Sequence, residues 1–274
     1  MVSIGKKLIL DLARLSSMCY CPGNDIDTIY TSQRPYNKLD NACVFNKLRE
    51  CPAFFKSDDD CEVMVCNHES DALVIAFRGT SSGSDVLTDL DIIRDPLPLA
   101  NLNEPEWPLV HSGFSHQFFS INANLDTYIA SNEKIVFCGH SLGGALATIG
   151  SLYYSYLYPS KQISCVTFGS PRVGDERFVS MFDERISNSI RYVNDNDPVP
   201  CLPTRWRFRH VKGLQWLNQD VVQSEIPVWR FYRFLKNTLL SFVGYGYNAC
   251  DDHKCDNYIT DIRSIIVNED SDDA

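Results

Sequence analysis

The stretch EKIVFCGHSLGGALATIGSLYYSYLYP, from Glu133 to Pro159, admits few local structures. Ile135, Val136, Phe137 and Cys138 form a short apolar run suited to a buried strand, whereas Leu142, Ala145, Leu146, Ile149, Leu152, Tyr153 and Tyr156 recur at helical spacing. Ser141 therefore falls on a strand-to-helix turn. Such a turn is sharp, and Gly139 and Gly143 supply flanking positions without a Cβ. The serine hydroxyl is then held out at the carboxyl edge of a sheet. The amino end of the next helix brings unpaired N–H groups and a partial positive charge to the same place. A glycine-rich helix start can also cradle a phosphate or simply turn, but the full G-H-S-L-G-G run favours a nucleophile elbow.

Four strand-like runs punctuate the first two hundred residues: Leu73 to Phe77, Ile135 to Cys138, Ile163 to Phe168 and Ile190 to Val193. Between the last two, Phe178, Phe182 and Ile186 mark a helix face. Strands and helices thus alternate, as in an α/β fold whose mostly parallel central sheet is covered on both faces. In such sheets the functional groups gather at the carboxyl ends of strands.

A serine hydroxyl becomes a useful nucleophile only with a base in reach and a carboxylate to orient that base. In the chain order of α/β-hydrolases the acid and then the histidine follow the serine, which leaves His210 and His253. His210 ends RWRFRH, where Trp206, Phe208 and His210 alternate with three arginines and are expected on the apolar face of a strand. His253 lies on a polar turn before a helix whose face is Tyr258, Ile259, Ile262, Ile265 and Ile266, and it is the preferred base. The acid is expected after the strand Ile190 to Val193, in RYVNDNDPVPCLP. Asp197 precedes Pro198, which stiffens its backbone in an extended form, and Asp195 is the minor alternative. For the oxyanion, the N–H of Leu142 directly follows the nucleophile, and Thr80 stands at the end of the run LVIAFRGTSS.

Bulk properties narrow the class further. A chain of 274 residues with 44% apolar content can bury one substantial core, so a single domain over residues 1–267 is expected, with an acidic, frayed tail over 268–274. The net charge of −10 argues against nucleic acid as a partner and against general adsorption to anionic membranes. At the N-terminus, Lys6 and Lys7 resemble the start of a secretion signal, but Asp11 and Arg14 confine the apolar stretch to Leu8, Ile9 and Leu10, which fits an amphipathic helix better. No run approaches the roughly 20 apolar residues of a spanning helix. Eleven cysteines leave at least one thiol without an intramolecular partner, and no Asn-x-Ser/Thr sequon is present. Cys138 and Cys165 read as core thiols. The spacings do not suit a zinc site. A cytoplasmic location is expected, with secretion as the alternative if cysteines such as Cys250 and Cys255 are bridged.

Taken together, AFRGTSS, VHSGF from Val110 to Phe114, GHSLGGALA, TFGSPRVGD and NDNDPVPCLP, with a histidine near the carboxyl end, resemble the class 3 lipases related to secreted fungal triacylglycerol lipases. The resemblance covers roughly residues 8 to 267 and is much more specific than any one motif. It implies an α/β-hydrolase fold, Ser141 as nucleophile, Asp197 as acid, His253 as base, and Thr80 with Leu142 as oxyanion donors, with no metal or organic cofactor. It also implies a short lid helix, for which SSGSDVLTDLDIIRDPLP offers Val86, Leu87, Leu90 and Ile93 on one face and Gly83 as hinge. Many relatives carry tryptophan where this lid has Val86. A second segment, IPVWRFYRFLKNTLLSFVGYGY around Trp229, is aromatic and locally basic; it reads as a packed helix or as one that touches lipid. The expected activity is hydrolysis of acylglycerol esters. The rival readings are a phospholipase A-type acyl hydrolase and a lipase-shaped module that binds lipid or a partner without turnover.

Overall fold

A computed structural model of the chain describes residues 4–21, 40–80, 92–103, 105–218, 221–224 and 251–272. Its centre is an eight-stranded sheet: β1 (Ala53–Lys56), β2 (Glu62–His68), β3 (Ala72–Phe77), β6 (Lys134–His140), β7 (Gln162–Phe168), β8 (Ser189–Asn194), β9 (Leu214–Asn218) and β10 (Val221–Gln223), adjacent in that order. The five strands from β3 to β9 run parallel. The pairs β1–β2, β2–β3 and β9–β10 are antiparallel and flank them. A separate antiparallel pair joins β4 (Arg94–Pro96) to β5 (Leu109–His111).

The strand interiors explain why both faces are covered. Along β3, Leu73, Ile75 and Phe77 enter one core while Val74 and Ala76 enter the other; β6 divides Ile135 and Phe137 from Val136 and Cys138 in the same way. On the first face lie α2 (Ser112–Ile121), α3 (Asp126–Ser131), α4 (Leu142–Leu157) and α5 (Glu176–Arg185), with Phe114, Phe118, Phe178 and Phe182 in the core. On the second face α1 (Lys6–Met18) packs against α6 (Cys255–Asp272), interleaving Leu8, Leu12 and Leu15 with Tyr258, Ile259 and Ile262. This is the α/β-hydrolase arrangement expected from the sequence.

The N-terminal segment is the expected amphipathic helix. Asp11, buried on it, is neutralised by Lys47 Nζ at 2.6 Å and by Arg14 at 3.3 Å. At the other end, α6 runs to Asp272. Once a helix is anchored by packed residues such as Ile262 and Ile265, each further residue adds a backbone hydrogen bond without a new nucleation cost. The RWRFRH segment is a loop rather than a strand. Trp206 is 74% exposed while Phe208 is fully buried, so the alternation of arginine and aromatic residues does not define two faces there.

Candidate active site

The chain leaves β6 at His140 and enters α4 at Leu142, so Ser141 alone makes the turn, at φ 59° and ψ −128°. Its N–H donates to the Phe168 carbonyl of β7 at 2.9 Å. A Cβ on Gly143 would collide with the Phe77 carbonyl, and one on Gly139 would collide with Gly143 itself. Both glycines are therefore demanded by close backbone approach, as the sequence suggested.

Three segments far apart in the chain meet at this turn. His253 Nε2 lies 2.7 Å from Ser141 Oγ, and His253 Nδ1 lies 2.8 Å from Asp197 Oδ2. Ser141, Asp197 and His253 are all buried. Asp197 also accepts hydrogen bonds from the Tyr258 hydroxyl and from the Val199 N–H at 2.9 Å. Burial alone would raise the carboxyl pKa. The adjacent imidazole, its hydrogen bond, the Tyr258 hydroxyl and the Val199 N–H outweigh burial and hold Asp197 below the usual carboxylate range.

The alternatives lie elsewhere. Asp195 accepts from the Asn196 side chain at 2.5 Å, and its carbonyl accepts from Trp216 Nε1 at 3.0 Å. His210 Nε2 is 2.6 Å from the Pro200 carbonyl, and burial together with Arg191 and Arg172 pushes its pKa well down. Leu142 is the first residue of α4, where an N–H has no carbonyl of its own helix to reach. Thr80 is half-buried and follows Gly79, on which a Cβ would come within 3.1 Å of the Ser141 Cβ. Val86, Leu87, Leu90, Gly83 and the Trp229 segment lie outside the described residues. Ile93 lies inside them and is 56% exposed.

Sequence reasoning missed a second layer. The His140 ring lies tilted, its centroid 4.6 Å from that of His253; it places Nε2 2.6 Å from the His253 carbonyl and has Nδ1 2.7 Å from the Tyr20 hydroxyl. Burial and the charge of His253 lower its pKa to about 3, so the ring is neutral. A neutral ring must donate from Nε2 to the carbonyl and accept at Nδ1 from Tyr20. Tyr258, read as one more apolar face residue, also receives the Asn194 N–H at 3.0 Å. The available signal was its hydroxyl: a tyrosine among isoleucines on a buried face needs a polar partner.

Residues 74–206 match the family model described as Lipase (class 3). Over these residues, just under half of its length, the chain is similar to the class 3 lipase family. The matched segment contains Ser141 and Asp197, and the lipase pattern ends ahead of His253. Secreted mono- and diacylglycerol lipase 1 of Fusarium solani is 32% identical over 131 residues, spanning 43% of this chain and 39% of that protein. Secreted mono- and diacylglycerol lipase 3 of Gibberella zeae is 28% identical over 178 residues, spanning 61% and 55%. The chain thus spans less than two thirds of the length of these relatives. A solved triacylglycerol lipase, described as having a serine protease triad for its catalytic centre, superposes with a TM-score of 0.65 at 23% identity, covering 80% of this chain and 83% of that one. That likeness establishes the shared fold.

Proposed function

We propose that this chain is a serine carboxylic ester hydrolase that cleaves acylglycerols through an acyl-serine intermediate. The observation that carries the reading is the continuous hydrogen-bonded relay from Ser141 Oγ through His253 to Asp197. Ser141 Oγ attacks the acyl carbonyl carbon while His253 Nε2 takes its proton. The carbonyl oxygen, now carrying the negative charge, rests on the N–H of Leu142 and on Thr80. His253 then returns the proton to the departing glyceride oxygen. Water, deprotonated by the same ring, attacks the acyl-serine, releases the fatty acid and restores the hydroxyl. Asp197 keeps the imidazole in the tautomer that can accept at Nε2 and stabilises the imidazolium.

Acylglycerol as substrate is supported by the relatives, whose names specify mono- and diacylglycerols. Within this reading, residues 1–267 form one catalytic domain, and the Val86, Leu87, Leu90 and Ile93 face, with the segment near Trp229, contacts lipid transiently. The expected cytoplasmic location has no support among these relatives, which are named as secreted, and secretion is the reading they favour. No helix among the described residues is long and apolar enough to cross a membrane. Cys19, Cys61, Cys66, Cys138, Cys165 and Cys255 are unbridged and buried, and Cys250 lies outside the described residues. Burial pushes Cys61 and Cys138 up to about 12 and Cys165 up to about 11.

A fluorophosphonate probe tests the nucleophile directly. The folded protein is expected to acquire one adduct on Ser141, and Ser141→Ala none. An unlabelled Ser141 in folded protein would count against an ester hydrolase and for a lipid-binding module. Release of fatty acid from emulsified diacylglycerol, abolished in Ser141→Ala, tests the substrate class.

A further inference from the structure

Away from the catalytic turn, a cavity of about 230 Å³ opens between α1, α6 and the strands β8 and β9. Ile9 of α1 and Ile262, Ile265 and Ile266 of α6 form its apolar wall. α6 begins at Cys255, just after His253, so at about 1.5 Å per residue the stretch from Ile262 to Ile266 stands roughly 15 Å or more from the base. The cavity is therefore separate from the nucleophile and its oxyanion donors.

On the sheet side the lining turns polar. Tyr192 of β8 is only 9% exposed and stacks on Phe168 with centroids 5.7 Å apart, yet its hydroxyl makes no hydrogen bond among the described residues. Gln215 lies beside it on β9, its Cα paired with that of Tyr192, and its side-chain amide is likewise without a partner among the described residues. Buried polar groups in native proteins are satisfied, so a hydroxyl left bare in a cavity wall is aimed at water or at a ligand. Burial pushes the Tyr192 phenol up to about 12, so it keeps its proton and donates. Lys6, exposed in the first turn of α1, adds an ammonium. Among the described lining residues there is no carboxylate. The two helices carry Lys6, Lys7 and Arg263 against Asp261, Glu269 and Asp270, so their charges balance and the donors decide what binds.

We propose that this cavity binds a free fatty acid, with Tyr192, Gln215 and Lys6 donating to its carboxylate and the isoleucines enclosing the first methylenes of its chain. An apolar wall with a few convergent donors is the usual build of such a site. That the ligand is also the acyl product rests on the ester-hydrolase reading above, but the site itself does not require turnover. α1 leads to Tyr20, which meets His140, and α6 carries Tyr258, which meets Asp197. A fatty acid held between these helices braces the two elements that support the catalytic turn.

The test is photo-crosslinking of the full chain with a diazirine-bearing decanoate, read by mass spectrometry of the labelled peptides. Adducts are expected on α1, β8, β9 or α6. Hexanoate, octanoate and decanoate should displace the probe with an affinity that rises about four-fold per methylene, and decanol should displace it far more weakly. Tyr192→Phe should weaken probe binding about ten-fold, and Ile265→Trp, which fills the cavity, should abolish these adducts. Urea midpoints close to that of the parent protein verify that the variants fold. Adducts confined to peptides around Ser141, or labelling unchanged in both variants, would overturn the site. Equal displacement by decanol and decanoate would overturn the carboxylate assignment. Adducts at the cavity in a protein that hydrolyses no ester would sink the catalytic reading and leave the site standing.

Discussion

Ser141 occupies a backbone region that residues with a Cβ rarely adopt, at a cost of about 1–3 kcal/mol. The conformation is held by its N–H bond to Phe168 and by the close contact of Gly143 with Phe77. Asp197 has the opposite character: it is a fully buried charge whose stability depends on its partners. Asp197→Asn keeps the shape but loses the acceptor that fixes the His253 tautomer, so kcat is expected to fall about 10⁴-fold with KM little changed, measured by steady-state ester hydrolysis. His140 makes a pH prediction with a definite sign. Its folded pKa of about 3 lies below the ordinary histidine value of 6.5, so below pH 6.5 the unfolded chain takes up a proton that the folded state refuses. Its stabilising contribution is complete above pH 6.5 and is lost as pH falls toward 3, at about 1 kcal/mol per pH unit. Urea midpoints measured between pH 7 and 4 should therefore fall more steeply for the native protein than for His140→Gln.

Among the elements, β3, β6, β7 and β8 were legible because strands buried on both faces read as continuous apolar runs. The flanking pairs were not. β1 carries a half-buried pattern and β10 is only three residues long, so neither offers a periodicity that separates it from loop. RWRFRH misled for the opposite reason: it has the right period, but its neighbours are turns, and nothing pairs along it except at Arg209. The hydrogen-bonded set Ser141, His253 and Asp197 could be read because each member stands at a strand end or turn with its own punctuation: glycines at Ser141, proline after Asp197, a polar turn at His253. The support from His140 and Tyr258 was not read, because neither stands beside punctuation of that kind: His140 closes a buried strand and Tyr258 lies on the apolar face of a helix, where only its hydroxyl hinted at a polar partner. The junction of β3 and α4 carries a direct prediction. Gly143→Ala must force its methyl against the Phe77 carbonyl, and chemical denaturation should show a loss of about 1–3 kcal/mol or more.

At the scale of the whole molecule, two cores lie on either side of one sheet, and thiols are distributed through both: Cys61 and Cys165 in one, Cys19, Cys66, Cys138 and Cys255 in the other. These six should resist a water-soluble thiol reagent in the native protein and react together on unfolding, as read by mass mapping of the labelled peptides; independent labelling of one core would mean that the two faces open separately. The same architecture binds the first helix to the last, and both reach the catalytic turn, one through Tyr20 on His140 and the other through Tyr258 on Asp197. During synthesis the nucleophile emerges from the ribosome more than a hundred residues ahead of its base. A nascent chain therefore holds Ser141 without its imidazole partner until α6 has been made and has folded back onto α1.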